Sequence, residues 1–196
     1  MSVPPAPPLL LASRSPQRRA ILEQLGVPFD VAVPRYQEGL VGEGPVETVL
    51  EHALGKARSA ADIAGERPVL GVDTEVVLGG RVFGKAGDAT EAEAMLEELG
   101  GRTHEVVSGL CLVTHAWEAV EHDVTLVSFR PLDARDLAAY IGTGEWQGRA
   151  GAYAIQGRGA ALVERIEGDY LNVVGLPGAL LVRLLAERFP GVYGFG

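Results

Sequence analysis

Runs of branched apolar residues alternate along this chain with helix-like patterns, and two of the runs are joined by nothing more than Gly79-Gly80. This alternation constrains the fold more than any other feature. Strand–helix–strand units build sheets with helices laid on them, whereas a two-residue glycine turn forces neighbouring antiparallel strands. A chain that does both is expected to be α/β with a mixed sheet.

The elements can be read in order. "LLLA" from Leu9 is a buried strand, Ser15-Pro16 starts a helix that Gly26 stops, and "PFDVAV" is a second strand. "EGLVGEGP" is a Gly-rich loop. A helical pattern runs from Val46 to Ala64, with Val49, Leu50, Ala53, Leu54 and Ala57 on one side. "RPVLGVDTEVVLGGRVFGK" is a strand, the glycine turn and a short return. Thr90 and Glu93 predict a capping box on a helix that carries Ala94, Met95 and Leu99 and stops at Gly100-Gly101. "THEVVSGLCLVTH" and "AVEHDVTLVSFR" are long strands. In the second, Val124, Leu126 and Phe129 alternate only in part, so both faces are expected to be partly covered. Asp133 caps a helix through Tyr140, "ALVERIEG" is a strand, and Pro177 opens a last helix through Phe189 before a tail, "PGVYGFG". Without repeats or a long linker, residues 1–196 are expected to form one domain, with the Pro-rich residues 1–8 as a loose tail.

A net charge of −9 argues against a general surface for nucleic-acid polymers, so cations clustered locally must serve a particular place. Cys111 is the single cysteine, which rules out an intrachain disulfide and fits a reducing compartment. No apolar run has the length of a membrane span, and "MSVPPAPP" lacks a signal-peptide layout. A cytoplasmic protein without membrane partners is expected.

Arg18 and Arg19 occupy the first turn of a helix, where the backbone is already positive and cations are disfavoured by roughly 0.3–1 kcal/mol. Either both lean into solvent, or the strand, Ser13, Ser15 and the helix start form an anion site that offsets them. Asp73 and Glu75 place carboxylates inside an apolar strand. Such an acid ends a strand at a site, binds a metal, or pairs with a cation in a structural salt bridge. Lys85 follows the hairpin and either meets a phosphate or is a surface lysine. Lys56 and Arg58 fall late in a helix, where cations are favoured anyway. "GRAGAYAIQGRGA" combines glycines that allow close backbone approach with Gln156, which can both donate and accept; its ordinary alternative is a flexible loop. His52, His104, His115 and His122 have no metal-ligand spacing and read as ordinary surface or core histidines.

Four segments, "LASRSPQRRAILEQLG", "GVDTEVV…GKAGDATEAEAMLEELGGRTHEVVSGL", "GRAGAYAIQGRGA" and "GDYLNVVGLPGALLVRLL", together resemble the Maf proteins, septum-formation-inhibitor-type nucleoside triphosphate pyrophosphatases, from Leu10 to Leu185. The resemblance implies a two-lobed α/β fold with a mixed sheet and a central cleft, similar to the inosine-triphosphate pyrophosphatases. It implies a homodimer that cleaves nucleoside triphosphates between the α and β phosphates with Mg²⁺ or Mn²⁺. It places the proton acceptor on Asp73, the phosphate-binding cations on Arg18, Lys56 and Lys85, and an acid on Glu38 that holds the metal with Asp73. Ser13 and Arg149 fall in the substrate-binding motifs, and the specificity positions fall on Gln17, Thr74 and Gln156.

Three positions depart from the family pattern: Gln17 stands where the pyrimidine subfamily has arginine, Arg149 replaces a lysine, and Ala86 replaces a proline. Thr74 and Gln156 match the pyrimidine class, so dTTP and UTP are the expected substrates. A methylated GTP is the alternative within the enzyme class, and a nucleotide-binding division regulator without turnover is the alternative outside it.

Overall fold

The structure is a computed structural model that describes residues 6–39 and 43–196. Part of the expected Gly-rich loop, residues 40–42, and residues 1–5 of the expected tail fall outside the described residues.

One seven-stranded mixed sheet organises the molecule, in the order β2-β1-β3-β5-β6-β7 with β4 attached to β3. The strands are β1 (Leu9–Ala12), β2 (Phe29–Ala32), β3 (Val69–Leu78), β4 (Arg81–Phe83), β5 (Thr103–Val113), β6 (Glu118–Phe129) and β7 (Val163–Glu167). β1 lies parallel to β2 and β3, and the remaining pairings are antiparallel. Gly79 and Gly80 both have positive φ, 58° and 83°, as a two-residue hairpin between β3 and β4 requires. The helices are α1 (Pro16–Gln24), α2 (Pro45–Arg58), α3 (Ala89–Leu99), α4 (Ala134–Ile141), α5 (Tyr170–Val174) and α6 (Gly178–Arg188).

Side-chain alternation on β3 sorts the core. Leu70 and Val72 face α1 and α6, packing with Ile21, Leu22, Leu181 and Leu184. Val69 joins Ala53, Ala57 and Cys111 under α2 on the other face. Beyond the middle of β3, Val76, Phe83, Leu96, Val106 and Phe129 build a separate cluster with α3 and α4. The result is two lobes on one sheet. α2 seats directly on the strands because Gly71 and Gly109 have no side chain. A Cβ on Gly71 would stand 2.1 Å from the Ala53 carbonyl oxygen, and one on Gly109 would stand 2.2 Å from that of Val49.

Several local expectations shift. α2 ends at Arg58 rather than Ala64, because the Ser59 hydroxyl turns back onto the Lys56 carbonyl and a 3₁₀ turn follows at Ala61–Ile63. On α2, His52 and Lys56 are buried, while Leu50 and Leu54 are only partly so. The cap of α3 falls two residues before Thr90: the Asp88 carboxylate accepts from the Glu91 N–H, and the Glu91 carboxylate accepts from Gly87. That register exposes Ala94 and buries Ala92 and Leu96. On β6, Val124 and Leu126 are exposed, whereas Thr125, Val127 and Phe129 are buried: α2 seats mainly on β3 and β5 and meets β6 less, which leaves these two side chains uncovered. α5 has no counterpart in the sequence pattern. Neither end trails freely where it is described: Tyr193 is buried, its hydroxyl donates to the Pro7 carbonyl, and Ala6 packs on the core.

Candidate active site

The lobes meet at a gap in the sheet. β5 pairs one edge of β3 without a break from Val69 to Val77. On the other edge, β1 reaches only Val69 and Leu70, and β4 begins only at Val76. Residues 71–75 therefore have one edge without a strand partner, and a cleft of about 930 Å³ opens there. That is within the roughly 300–1,000 Å³ usual for small-molecule sites. All ten residues singled out from the sequence as site candidates line it.

Asp73 projects from β3 beneath α2. Lys56 Nζ is 2.5 Å from its Oδ1 and 2.6 Å from Glu38 Oε1, so one ammonium bridges two carboxylates. His52, one turn before Lys56 on α2, brings Nδ1 to 3.2 Å from Asp73 Oδ2. Burial works to raise the Asp73 pKa, but the Lys56 charge and hydrogen bond, with Arg18 and His52, outweigh it and hold the carboxyl below its ordinary value. Glu75 shares the α2-side face of β3 with Asp73, and one of its carboxylate oxygens is buried without a hydrogen-bond partner. Burial, then the Asp73 charge, pushes its pKa up.

Arg18 enters from the opposite side of the sheet. Ser15 caps α1, accepting from the Arg18 N–H at 3.4 Å. The guanidinium donates to the Gly175 carbonyl (2.8 Å), Ser13 Oγ (3.2 Å) and Thr74 Oγ1 (3.3 Å). Burial lowers its pKa, and the charges of Asp73 and Glu38 oppose that. Three of its five N–H groups are thus committed and two remain for an anion. Gly175 is placed by α5, which Asn172 pins to the sheet by donating to the Val106 carbonyl and to Thr125 Oγ1, each at 3.0 Å. Arg19 faces solvent, as adjacent helix positions about 100° apart require.

The far wall is the Gly-rich segment after α4. A β-bridge joins Lys85 to Ala150, and the Gly151 N–H donates to the Phe83 carbonyl at 2.9 Å, so hairpin and loop form one surface. Lys85 is exposed, and the Arg149 Nε–H is buried without a partner. Gln156 lines the opening, and Gln17 Oε1 accepts from the Ser15 hydroxyl at 3.0 Å, leaving its NH₂ free.

Comparison with known proteins bears on this arrangement. The family model described as Maf-like protein matches residues 8–188. The chain belongs to the Maf family. Curated Maf relatives named dTTP/UTP pyrophosphatase include one from Symbiobacterium thermophilum, 48% identical over 91% of this chain and 93% of its own. Another, from Moorella thermoacetica, is 47% identical over 95% and 97%, and a third, from Deinococcus radiodurans, is 42% identical over 97% of both. Among solved structures, the Staphylococcus aureus Ham1 protein overlaps 63% of this chain and 72% of its own at 16% identity and a TM-score of 0.42.

In this Maf chain, Glu38, His52 and Asp73 offer ligand atoms that all lie within 4.8 Å of one another. Two carboxylates and an imidazole fit a small divalent cation, and Lys56 occupies only one oxygen of each carboxylate. His52 corrects the reading of the histidines as bystanders. Its signal was the four-residue spacing to Lys56, which puts both side chains on one helix face. Tyr36 and Glu145 also line the cleft without having been raised from the sequence, and Glu75, raised beside Asp73 but given no role, lines it too.

Proposed function

We propose that this chain hydrolyses dTTP and UTP between the α and β phosphates, giving the nucleoside monophosphate and pyrophosphate. The observation that carries this reading is Asp73, a buried carboxylate kept ionised by Lys56 in a cleft whose other cations, Arg14, Arg18, Lys85 and Arg149, have no carboxylate in contact among the described residues. A triphosphate carries the charge those cations lack. The names of the relatives support pyrimidine substrates, as do Thr74 and Gln156.

Glu38 and Asp73 would hold a divalent cation, Mg²⁺ or Mn²⁺, which when bound would supply positive charge against the phosphates and make water more acidic. Water attacks the α-phosphorus in line. A new P–O bond forms as the bond from that phosphorus to the bridging oxygen breaks, and a carboxylate oxygen of Asp73 takes the proton that the water gives up. Lys56 keeps that carboxylate free of a proton beforehand and, through Glu38, fixes its orientation. Lys85, unencumbered, meets the charge growing on the leaving pyrophosphate, while Arg18 holds the triphosphate from the other side of the sheet.

The test is pyrophosphate release from dTTP, UTP, CTP, ATP and 7-methyl-GTP with Mg²⁺ or Mn²⁺. Preference for dTTP and UTP is expected. A clear preference for the methylated guanosine triphosphate, or binding without turnover, overturns the reading. We take the assembly to be a homodimer in the cytoplasm, where the nucleotide pool is. The exposed strip of Val120, Val124 and Leu126 on β6 supports a second subunit, and sedimentation velocity tests it.

A further inference from the structure

We propose that His52 is a nitrogen ligand of the divalent cation and tilts this site towards Mn²⁺ over Mg²⁺, an inference that rests on the metal-dependent reading above. The ring is held in one orientation. His52 is buried, and its edge meets the Tyr36 ring with centroids 5.8 Å apart. Tyr36 in turn fills the notch at Gly55, where a Cβ would stand 2.3 Å from the Tyr36 ring.

His52 Nε2 is 3.1 Å from the Gly39 carbonyl oxygen, which can only accept. Nε2 therefore carries a proton, and when the ring holds no second one the lone pair of Nδ1 points towards Asp73 Oδ2, 3.2 Å away. An ionised carboxylate also only accepts. Two lone pairs facing one another at that distance need positive charge between them. One source is a second proton on the ring; the other is a metal ion, for which Glu38 supplies the next donor. Three features favour the metal. Ligands at right angles on a cation with bonds of about 2.1 Å stand about 3 Å apart, close to the separation seen. A metal-bound imidazole characteristically donates its other N–H to a carbonyl or carboxylate, as Nε2 does here. Lys56 already supplies the ammonium that Asp73 needs as an ion-pair partner.

The donor set then decides the ion. Mg²⁺ prefers oxygen donors throughout, whereas a transition ion such as Mn²⁺ accepts an imidazole nitrogen among carboxylates. The experiment uses chelator-treated full-length protein and Mn²⁺, alone and with the non-hydrolysable α,β-methylene-dUTP, read by electron spin echo. In the natural protein the echo of bound Mn²⁺ should carry the modulation of a directly bound nitrogen. His52→Gln should abolish that modulation and raise the Mn²⁺ dissociation constant by about 10- to 100-fold, with a smaller loss for Mg²⁺ in competition. Bound Mn²⁺ without nitrogen modulation in the natural protein overturns the proposal and needs no variant to fold. Equal losses for both ions in His52→Gln also overturn it, since they would leave His52 only as a support for Asp73. Asp73→Asn separates the levels. If the natural protein binds no Mn²⁺ in either arm, the metal-dependent reading itself fails. If Asp73→Asn abolishes binding and His52→Gln leaves it intact, only the role of His52 fails.

Discussion

At the scale of single residues, Asp73 bears the most exposed prediction. Asp73→Asn keeps shape and removes basicity, so kcat for pyrophosphate release should fall by roughly 10²–10⁴, the usual worth of a general base. Triphosphate binding, read by equilibrium dialysis, should survive far better. Lys85→Ala should lower kcat and kcat/KM together, because an ammonium without a protein partner acts on charge that appears only as pyrophosphate leaves. A raised KM with unchanged kcat would reduce Lys85 to a ground-state anchor. Gln17 has a free NH₂ in the cleft, and an amide both donates and accepts. dTTP, UTP and CTP should therefore differ by no more than a few tens of fold, about 2 kcal/mol, and Gln17→Arg should narrow the range, as competition kinetics would show. Asp73 and Arg18 stood out because each is of an unlikely type for its place, an acid in an apolar strand and a cation in a first helical turn, whereas Lys85 is ordinary on a surface and Gln17 was picked out only through the family resemblance. His52 and Tyr36 did not stand out. A histidine and a tyrosine are unremarkable on a helix and in a loop, and only the seating of α2 brings them to Asp73.

At the scale of elements, the decisive contact is α2 on β3 and β5. Gly71→Ala drives a methyl into the Ala53 carbonyl at 2.1 Å, a clash with backbone that no rotamer relieves. It should cost about 1–3 kcal/mol or more, lower the urea midpoint, and reduce kcat, because lifting α2 carries Lys56 and His52 away from Asp73. Most elements were readable from periodicity and caps: Ser15 before α1, Asp133 before α4, the glycine pair between β3 and β4. The failures share one cause. Which face of an element is inside depends on what covers it, and that is set by distant chain. Val124 and Leu126 look like core residues, yet α2 seats mainly on β3 and β5 and leaves both exposed on β6. Lys56 looks like a C-terminal surface cation, yet it is buried because Asp73 and Glu38 wait for it. α5 is a single turn and a half held by Asn172 rather than by any apolar period.

At the scale of the whole molecule, pH acts on the lobe built around α3 and α4. His104 on β5 is buried against Phe129 and Tyr153, its Nε2 3.0 Å from the Tyr153 hydroxyl and its Nδ1 without a partner, and burial pushes its pKa down to about 4. The unfolded chain binds a proton near pH 6.5 that the folded chain refuses until about pH 4. Stability from this group is therefore complete above pH 6.5 and is lost as pH falls towards 4, by about 3 kcal/mol at most. Urea unfolding of the natural protein and of His104→Gln at pH 7 and pH 5 should show a smaller drop for the variant. The two-lobed outline was expected from the sequence by resemblance. What the resemblance did not convey is that β3 and β5 run unbroken from one lobe into the other, cross-bonded from Val69 to Val77. The jaws share a spine. Two domains on a linker can swing apart about a few freed torsions, but here any hinge would have to shear a continuous ladder of backbone hydrogen bonds. Closing on a nucleotide is therefore expected to fall to side chains and rim loops rather than to a swing of the lobes. Small-angle scattering should then find the particle no more compact with nucleotide than without it.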